Sequence, residues 1–416
     1  MSEHSWSSTP LNYAAFAIPA FFIFVGLEYF IATKQGRKYL FKFDSSIANF
    51  SIGVAERLLN LFLTASFYGV FYYVYENFAI WALPNTWWMW GILILSTDLV
   101  WYWYHRLGHE VNLFWGAHIV HHQSEEFNYS VSARITTLQA IVRNVFWALL
   151  PLAGFHPSMV IATLIIHGAY SFFTHTQIVG KLGWLEHIFI TPSHHRVHHA
   201  SNEKYLDKNY GDLFVFWDKI FGTFQTEKEE EHGATVYGLT HPIKSHSFIW
   251  QHFHYYLEML YAIRKTHGLR AKFKIIFGNP EVLDQNIRPK LERIYLASRQ
   301  QVRGTLAYKQ YVTAQFIFII LLTFVFSLFF SHLTVIDKFF GVLFTIVTLI
   351  NCGALLEQRT WMYYLEHFRL LVIFTYISLL FEQPEWLVLS GLFSLFLLSP
   401  FSSTKQWYLT LLYGKR

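Results

Sequence analysis

Long apolar runs alternate with short polar breaks along most of this 416-residue chain. Residues 14–32 are almost wholly apolar and are followed by Lys34, Arg37 and Lys38. At about 1.5 Å rise per residue such a run crosses a hydrocarbon core of about 30 Å. Positive charge follows the run instead of preceding it, which predicts a retained membrane helix and not a cleaved signal. Further runs predict spans over 58–80, 88–104, 135–152, 159–174, 311–330, 339–356, 368–381 and 386–400, several short enough to be hairpins that do not fully cross. The stretch 176–309 is polar and rich in Lys and Arg. The pattern divides the chain into an amino-terminal membrane bundle (1–180), a polar cap (181–310) and a carboxy-terminal bundle (311–416). The predicted fold class is all-α, an integral membrane helical bundle with a cytosolic histidine-rich catalytic cap.

Loop charges give the orientation. If the spans alternate, residues 33–57 form an inside loop with five Lys or Arg, while 76–87 and 151–158 lie outside with none. Positive residues stay inside, so the cap and the tail Lys415–Arg416 are expected in the cytosol. Composition agrees. With 53% hydrophobic and only 14% charged residues, the chain is too apolar for a soluble domain, whose charged share is about 25%, or for a disordered one. The net charge of +5 comes without a basic block interleaved with aromatics, which excludes a nucleic-acid partner and suits a membrane surface. Cys352 is the single cysteine, so neither a disulfide scaffold nor a thiolate-rich zinc site is available.

The candidate chemistry lies in histidines. Thirteen of 22 fall between His105 and His199, where an even spread would place about five, and their spacing is ordered. HRLGH sets His105 and His109 at i and i+4, directly after an apolar span. HIVHH sets His118, His121 and His122 at i, i+3 and i+4, and HRVHH repeats this at His195, His198 and His199, with His194 just before. Such spacing puts imidazoles on one helix face, where they converge on an ion without bending the backbone. His175 ends the hairpin returning from the membrane and falls at the same level. One such motif is weak evidence. Three at one membrane face supply more ligands than a single ion takes and suit two. Interface preference alone explains neither the spacing nor the repeat.

Other chemistries lack their marks. HEVNL at His109 is not HExxH, and neither a GxGxxG nor a GxxxxGK loop is present, so electrons must come from outside the chain. A haem electron carrier needs ligands at bilayer depth on facing spans, and these clusters lie beyond the spans. A metal transporter should carry polar residues inside several spans, whereas Asp98 is one of only a few carboxylates within the predicted spans. Glu110, directly after a motif histidine, and Asp218 in FWDKIFGTF are carboxylates that could orient a ligand ring, though a cap or salt bridge is the plainer role for Asp218. His156 and His167 read as packing residues, with His167 also a candidate outer partner of a ligand. The stretch FIWQHFHYYLEMLYAIRK, 248–265, fits either an interfacial helix or a core helix of the cap.

These histidine strings, with HRLGHEVNLFWGAHIVHHQSEEFNYS, TPSHHRVHHASNEKYLDKNYGDLFVFWDKIFGTF and VYGLTHPI, resemble the fatty acid hydroxylase and sterol desaturase superfamily of membrane di-iron oxygenases. Within it the likeness is strongest to the tetrahydrobiopterin-dependent branch that cleaves ether lipids. It is dense over 103–242 and continues weakly to LLEQR near Glu357. The resemblance implies a di-iron centre with His105, His109, His118, His121, His122, His195, His198 and His199 as box ligands, and His175 and His194 as additional ones. It implies tetrahydrobiopterin as electron donor, with Glu110 a candidate contact, and a separate redox partner as the alternative. The implied activity is an O2-dependent lipid monooxygenase acting on a substrate drawn from the bilayer. Oxygen insertion beside an ether oxygen would give a fatty aldehyde and a glycerol derivative; hydroxylation or desaturation of a sterol or fatty acid is the alternative in the same superfamily. The chain departs from that branch at FGNPEVLDQNIRPKLE, 277–292.

Overall fold

The structure, a computed structural model, describes residues 11–296, 305–399 and 403–414. The tail Lys415–Arg416 lies outside the described residues. Among those described the architecture is helical, with isolated bridges Phe189–Phe214 and Ala200–Tyr237 in place of a sheet. The amino-terminal part comprises α1 (Ala17–Lys34), α2 (Phe43–Phe78), α3 (Trp87–Glu110), α4 (Asn112–His118), α5 (Thr137–Trp147), α6 (Leu149–Ala153) and α7 (Pro157–Thr174). The segment expected to form the cap contains α8 (Pro192–His199), α9 (Phe216–Ile220), α10 (Glu229–His232), α11 (Phe248–Lys265), α12 (Leu269–Phe277) and α13 (Ile287–Tyr295). The last bundle is α14 (Leu306–Leu328), α15 (Val335–Leu356), α16 (Met362–Phe381), α17 (Glu385–Leu398) and α18 (Thr404–Tyr413).

Among the described residues six helices are long and apolar enough to cross a membrane, and this is a multi-pass membrane protein. The expected span 135–152 is instead two short helices, α5 and α6, closed by Gly154 at φ +110°, where a Cβ would meet the Trp81 carbonyl oxygen at 2.0 Å. The expected span 386–400 shortens to the 14 residues of α17.

The largest departure is α2. Residues 43–57, expected in a loop, form the first part of a 36-residue helix, about 54 Å long. Its small and polar residues mimic a loop in the sequence but face polar partners in the fold. Asn49 donates to Ser130 Oγ at 2.9 Å and accepts from Arg134 at 2.8 Å. Along its length α2 also joins two cores. Ile47, Val54 and Ala55 pack with Val312, Leu349 and Leu355 of the last bundle, and Phe71 packs with Leu93, Trp147 and Val160 of the first.

Capping explains several boundaries. Thr334 and Asp337 form a capping box on α15, and Ser247 accepts from Trp250 N to start α11. His156 plays the same part for α7, its Nδ1 accepting from Ser158 N ahead of Pro157. The 248–265 stretch is a core helix of the cap along one face, burying Trp250, Tyr255 and Met259. Buried Glu28 ties α1 to the segment after the second histidine motif and to the end of α7, accepting from Tyr129 N at 2.7 Å and from the Thr176 hydroxyl.

Candidate metal centre

α3 does not stop where its apolar run ends. It continues through HRLGH, so His105 and His109 face inward one turn apart. α4 delivers His118, a 3₁₀ turn at Ile119–His122 delivers His121 and His122, and the short α8 delivers His195, His198 and His199. His175 caps the carboxy end of α7.

The rings converge in two adjacent groups. His105, His109, His118, His122 and His198 form one, and His121, His175, His195 and His199 the other, with the donor nitrogens of each group within 4.8 Å of one another. In both HxxHH motifs the i, i+4 pair stays together, while the middle histidine, His121 or His198, crosses to the other group. Spacing alone had placed all three on one face.

Nδ1 contacts with the surrounding chain orient several rings. His105 Nδ1 lies 2.9 Å from the Tyr210 carbonyl, His198 Nδ1 2.9 Å from that of Lys208, and His175 Nδ1 2.7 Å from that of Ser171. His118 Nδ1 meets the Gln139 amide at 3.0 Å. An Nδ1–H donated to a carbonyl leaves Nε2 as a neutral lone pair aimed inward. The inward nitrogens crowd: Nε2 pairs His118–His122, His121–His175, His175–His195 and His195–His199 lie 3.0–3.2 Å apart. Ligands at about 2.1 Å from one ion in octahedral array are separated by roughly 3.0 Å, so the crowding has the spacing of a coordination shell. Nε2 of His109 and of His198 is buried without a protein partner.

Electrostatics agree with cation binding. Burial, then neighbouring imidazoles, hold His118, His121, His122, His195, His198 and His199 well below the usual histidine range. Burial lowers His175 to about 4. At neutral pH these rings are uncharged and able to ligate. Nine buried or nearly buried imidazoles, two with orphaned inward nitrogens, fit a pair of transition-metal ions such as iron.

The loop 207–214 fixes the outer partners. Asp207 and Asn209 take left-handed φ of 56°, tolerable for these residue types, and between them turn the Lys208 and Tyr210 carbonyls toward the rings. Three carboxylates then clamp the loop. Asp218 accepts from Tyr210 N and Gly211 N, both at 2.8 Å, and Asp98 accepts from Leu213 N and Phe214 N at 2.8 and 3.1 Å. Asp212 holds His167 Nδ1 at 2.8 Å. Asp218 therefore acts on His105 through the backbone. Asp98 and Asp212 were not singled out as site residues from sequence; the available signal was Asp98 at seven residues before His105, on the same face of α3.

Two expected residues lie apart. His194 is in neither group; its Nδ1 accepts from Thr191 N at 3.3 Å, closing the amino end of α8. Glu110 pairs with Arg106 at 2.8 Å with its side chain 39% exposed, on the rim and outside both groups.

A cavity of about 430 Å³ reaches the centre, with His105, His118, His121, His175 and His195 in its wall. Its other walls include Ile18, Phe21 and Phe22 of α1, Phe50 of α2 and Ile320 of α14. That size suits a lipid-like ligand.

Comparison with known proteins agrees with this geometry. The chain is 35% identical over 358 residues to the human alkylglycerol monooxygenase, covering 84% of this chain and 78% of that protein. The chain belongs to the fatty acid hydroxylase family. The model of that family, fatty acid hydroxylase, matches residues 90–223, which hold all three histidine motifs. The Danio rerio alkylglycerol monooxygenase is 36% identical over 241 residues, covering 58% of this chain and 53% of that protein. The Caenorhabditis elegans one is 27% identical over 399 residues, covering 89% and 77%. No solved structure matches the chain. As a member of this family the protein is an O2-dependent lipid monooxygenase.

Proposed function

We propose that the protein cleaves the ether bond of alkylglycerols by hydroxylating the carbon next to the ether oxygen. The observation that carries this reading is the pair of histidine groups opening onto a lipid-sized, largely apolar cavity. Likeness to the human alkylglycerol monooxygenase along most of both chains supports it. His105, His109, His118, His122 and His198 would hold one iron, and His121, His175, His195 and His199 the other. Bound iron supplies reductive activation of dioxygen: with two electrons and two protons from outside, one oxygen atom enters a C–H bond and the other leaves as water.

The chain's own residues do the rest. Aromatic side chains of α1 and α2 admit the alkyl chain and keep water out. The Tyr210 and Lys208 carbonyls fix the tautomers of His105 and His198. The lipid product is a hemiacetal, which loses the glycerol oxygen as an alcohol and leaves a fatty aldehyde. We read the histidine side as cytosolic, from the charge bias of the loops. Tetrahydrobiopterin is the proposed reductant, with rim Glu110 as its contact. Glu110→Ala should then leave metal content unchanged and raise the pterin concentration needed for half-maximal rate, an effect absent with a chemical reductant.

The deciding experiment supplies purified iron-loaded protein with 1-O-hexadecylglycerol, tetrahydrobiopterin and ¹⁸O₂, trapping aldehyde by immediate reduction. Hexadecanol carrying one ¹⁸O is expected. Absence of that product, with oxygen appearing instead in a sterol or fatty acid from a lipid mixture, would overturn ether cleavage.

A further inference from the structure

The cavity is not apolar throughout. Its wall also carries Glu56 and Arg57 of α2 and Arg143 of α5. Arg143 Nη2 lies 3.5 Å from Glu56 Oε1, with the two side chains 21% and 14% exposed. Arg57 donates through Nη2 to the Ala14 carbonyl at 2.9 Å, while its Nε is buried with no hydrogen-bond partner. Ionisable groups among apolar membrane helices are costly to keep and mark function by default.

The contact is also a poor one for a purely structural pair. Elsewhere in this protein, Arg196 grips Glu227 through two bonds of 2.8 and 2.7 Å, and Arg288 meets Glu258 at 2.8 Å. A single long contact leaves Glu56 with acceptor capacity and Arg143 with donors unused. The pair is also close to the reacting centre. Gln139, whose amide touches His118 Nδ1, precedes Arg143 by one turn of α5, or roughly 6 Å of rise. Extended with its terminal oxygens, a three-carbon polyol head spans roughly 5 Å, close to that rise.

We propose that Glu56 and Arg143 bind the vicinal hydroxyls of a neutral glycerol headgroup and so place the adjoining alkyl carbon at the histidines. This rests on the ether-cleavage reading above. A polyol can donate to the carboxylate and accept from the guanidinium at once. A phosphate head would meet Glu56, and a quaternary ammonium would meet two guanidinium groups, so the mixed set favours the uncharged head. The alkyl chain then occupies the arm lined by Ile18, Phe22 and Ile320. The pair determines specificity and takes no part in the oxygen chemistry.

The test measures equilibrium binding of 1-O-hexadecylglycerol, its 3-phosphate and hexadecyl methyl ether, which shares the chain and ether but lacks hydroxyls, to wild type, Glu56→Gln and Arg143→Gln. Each variant should bind the alkylglycerol about tenfold or more weakly, and the methyl ether within about twofold of wild type. KM for the alkylglycerol should rise in step. Equal weakening for both ligands, unchanged affinity, a lower melting temperature without a change in ligand ratio, or tighter wild-type binding of the phosphate would each overturn the proposal. Headgroup-dependent binding without aldehyde formation would defeat ether cleavage and leave the pair's role standing. Aldehyde formation with an unchanged ligand ratio would defeat the pair alone.

Discussion

His194 and His195 are neighbours in sequence with opposite surroundings. His195 Nε2 sits 3.0 Å from that of His175 inside the centre, whereas His194 points back to the start of its own helix. His198→Ala should strip metal from its site and lower activity beyond the roughly 10–100-fold that loss of an outer partner costs. His194→Ala should keep both metals and lose about 1–2 kcal/mol of stability with its cap. Elemental analysis and thermal melts of the two variants separate these outcomes, and metal loss in His194→Ala would contradict its placement. The motif spacing made the convergence of eight box histidines legible. It did not show which ring joins which group, because that depends on where α4 gives way to the 3₁₀ turn and on how α8 meets it. Nor did spacing distinguish His194, whose ring direction is set by the cap.

At the level of elements, the strongly apolar helices were readable and the mixed ones were not. α14 and α15 occupy close to the expected positions because nothing in their sequences competes with the apolar run. The start of α2 reads as a loop because polar residues, held by buried contacts to Ser130 and Arg134, interrupt the apolar positions Ile47, Val54 and Ala55 that pack on the last bundle. The joint between bundle and cap was likewise hidden. Gly353 of α15 lies so close to the start of α11 that an added Cβ would stand 2.8 Å from Phe248 N and 2.9 Å from the His246 carbonyl oxygen. Backbone atoms cannot swing aside as a side chain does, so Gly353→Ala should destabilise the protein by about 1–3 kcal/mol. Its melting temperature should fall while metal-binding capacity of the folded fraction is kept. A melt equal to wild type would show that α15 and α11 do not meet this closely.

For the whole molecule, the proposed orientation rests on loop charge. Cys352 is buried and is the single native cysteine, so introduced thiols report cleanly. Cysteines replacing exposed Lys34 and Glu230 should both react with an impermeant reagent applied from the cytosolic side and neither from outside intact cells; labelling of Glu230→Cys from outside would reverse the proposed topology. The membrane class and the histidine centre were legible in composition and motif. The clamp on loop 207–214 and the charged cavity wall were not, because they join helices far apart in sequence. The most direct test of the account is the metal content of protein purified without oxygen, counted per chain by elemental analysis and native mass spectrometry. The nine histidines, in groups of five and four, predict two iron ions per chain; one tightly held ion that further iron does not supplement would contradict the dinuclear centre.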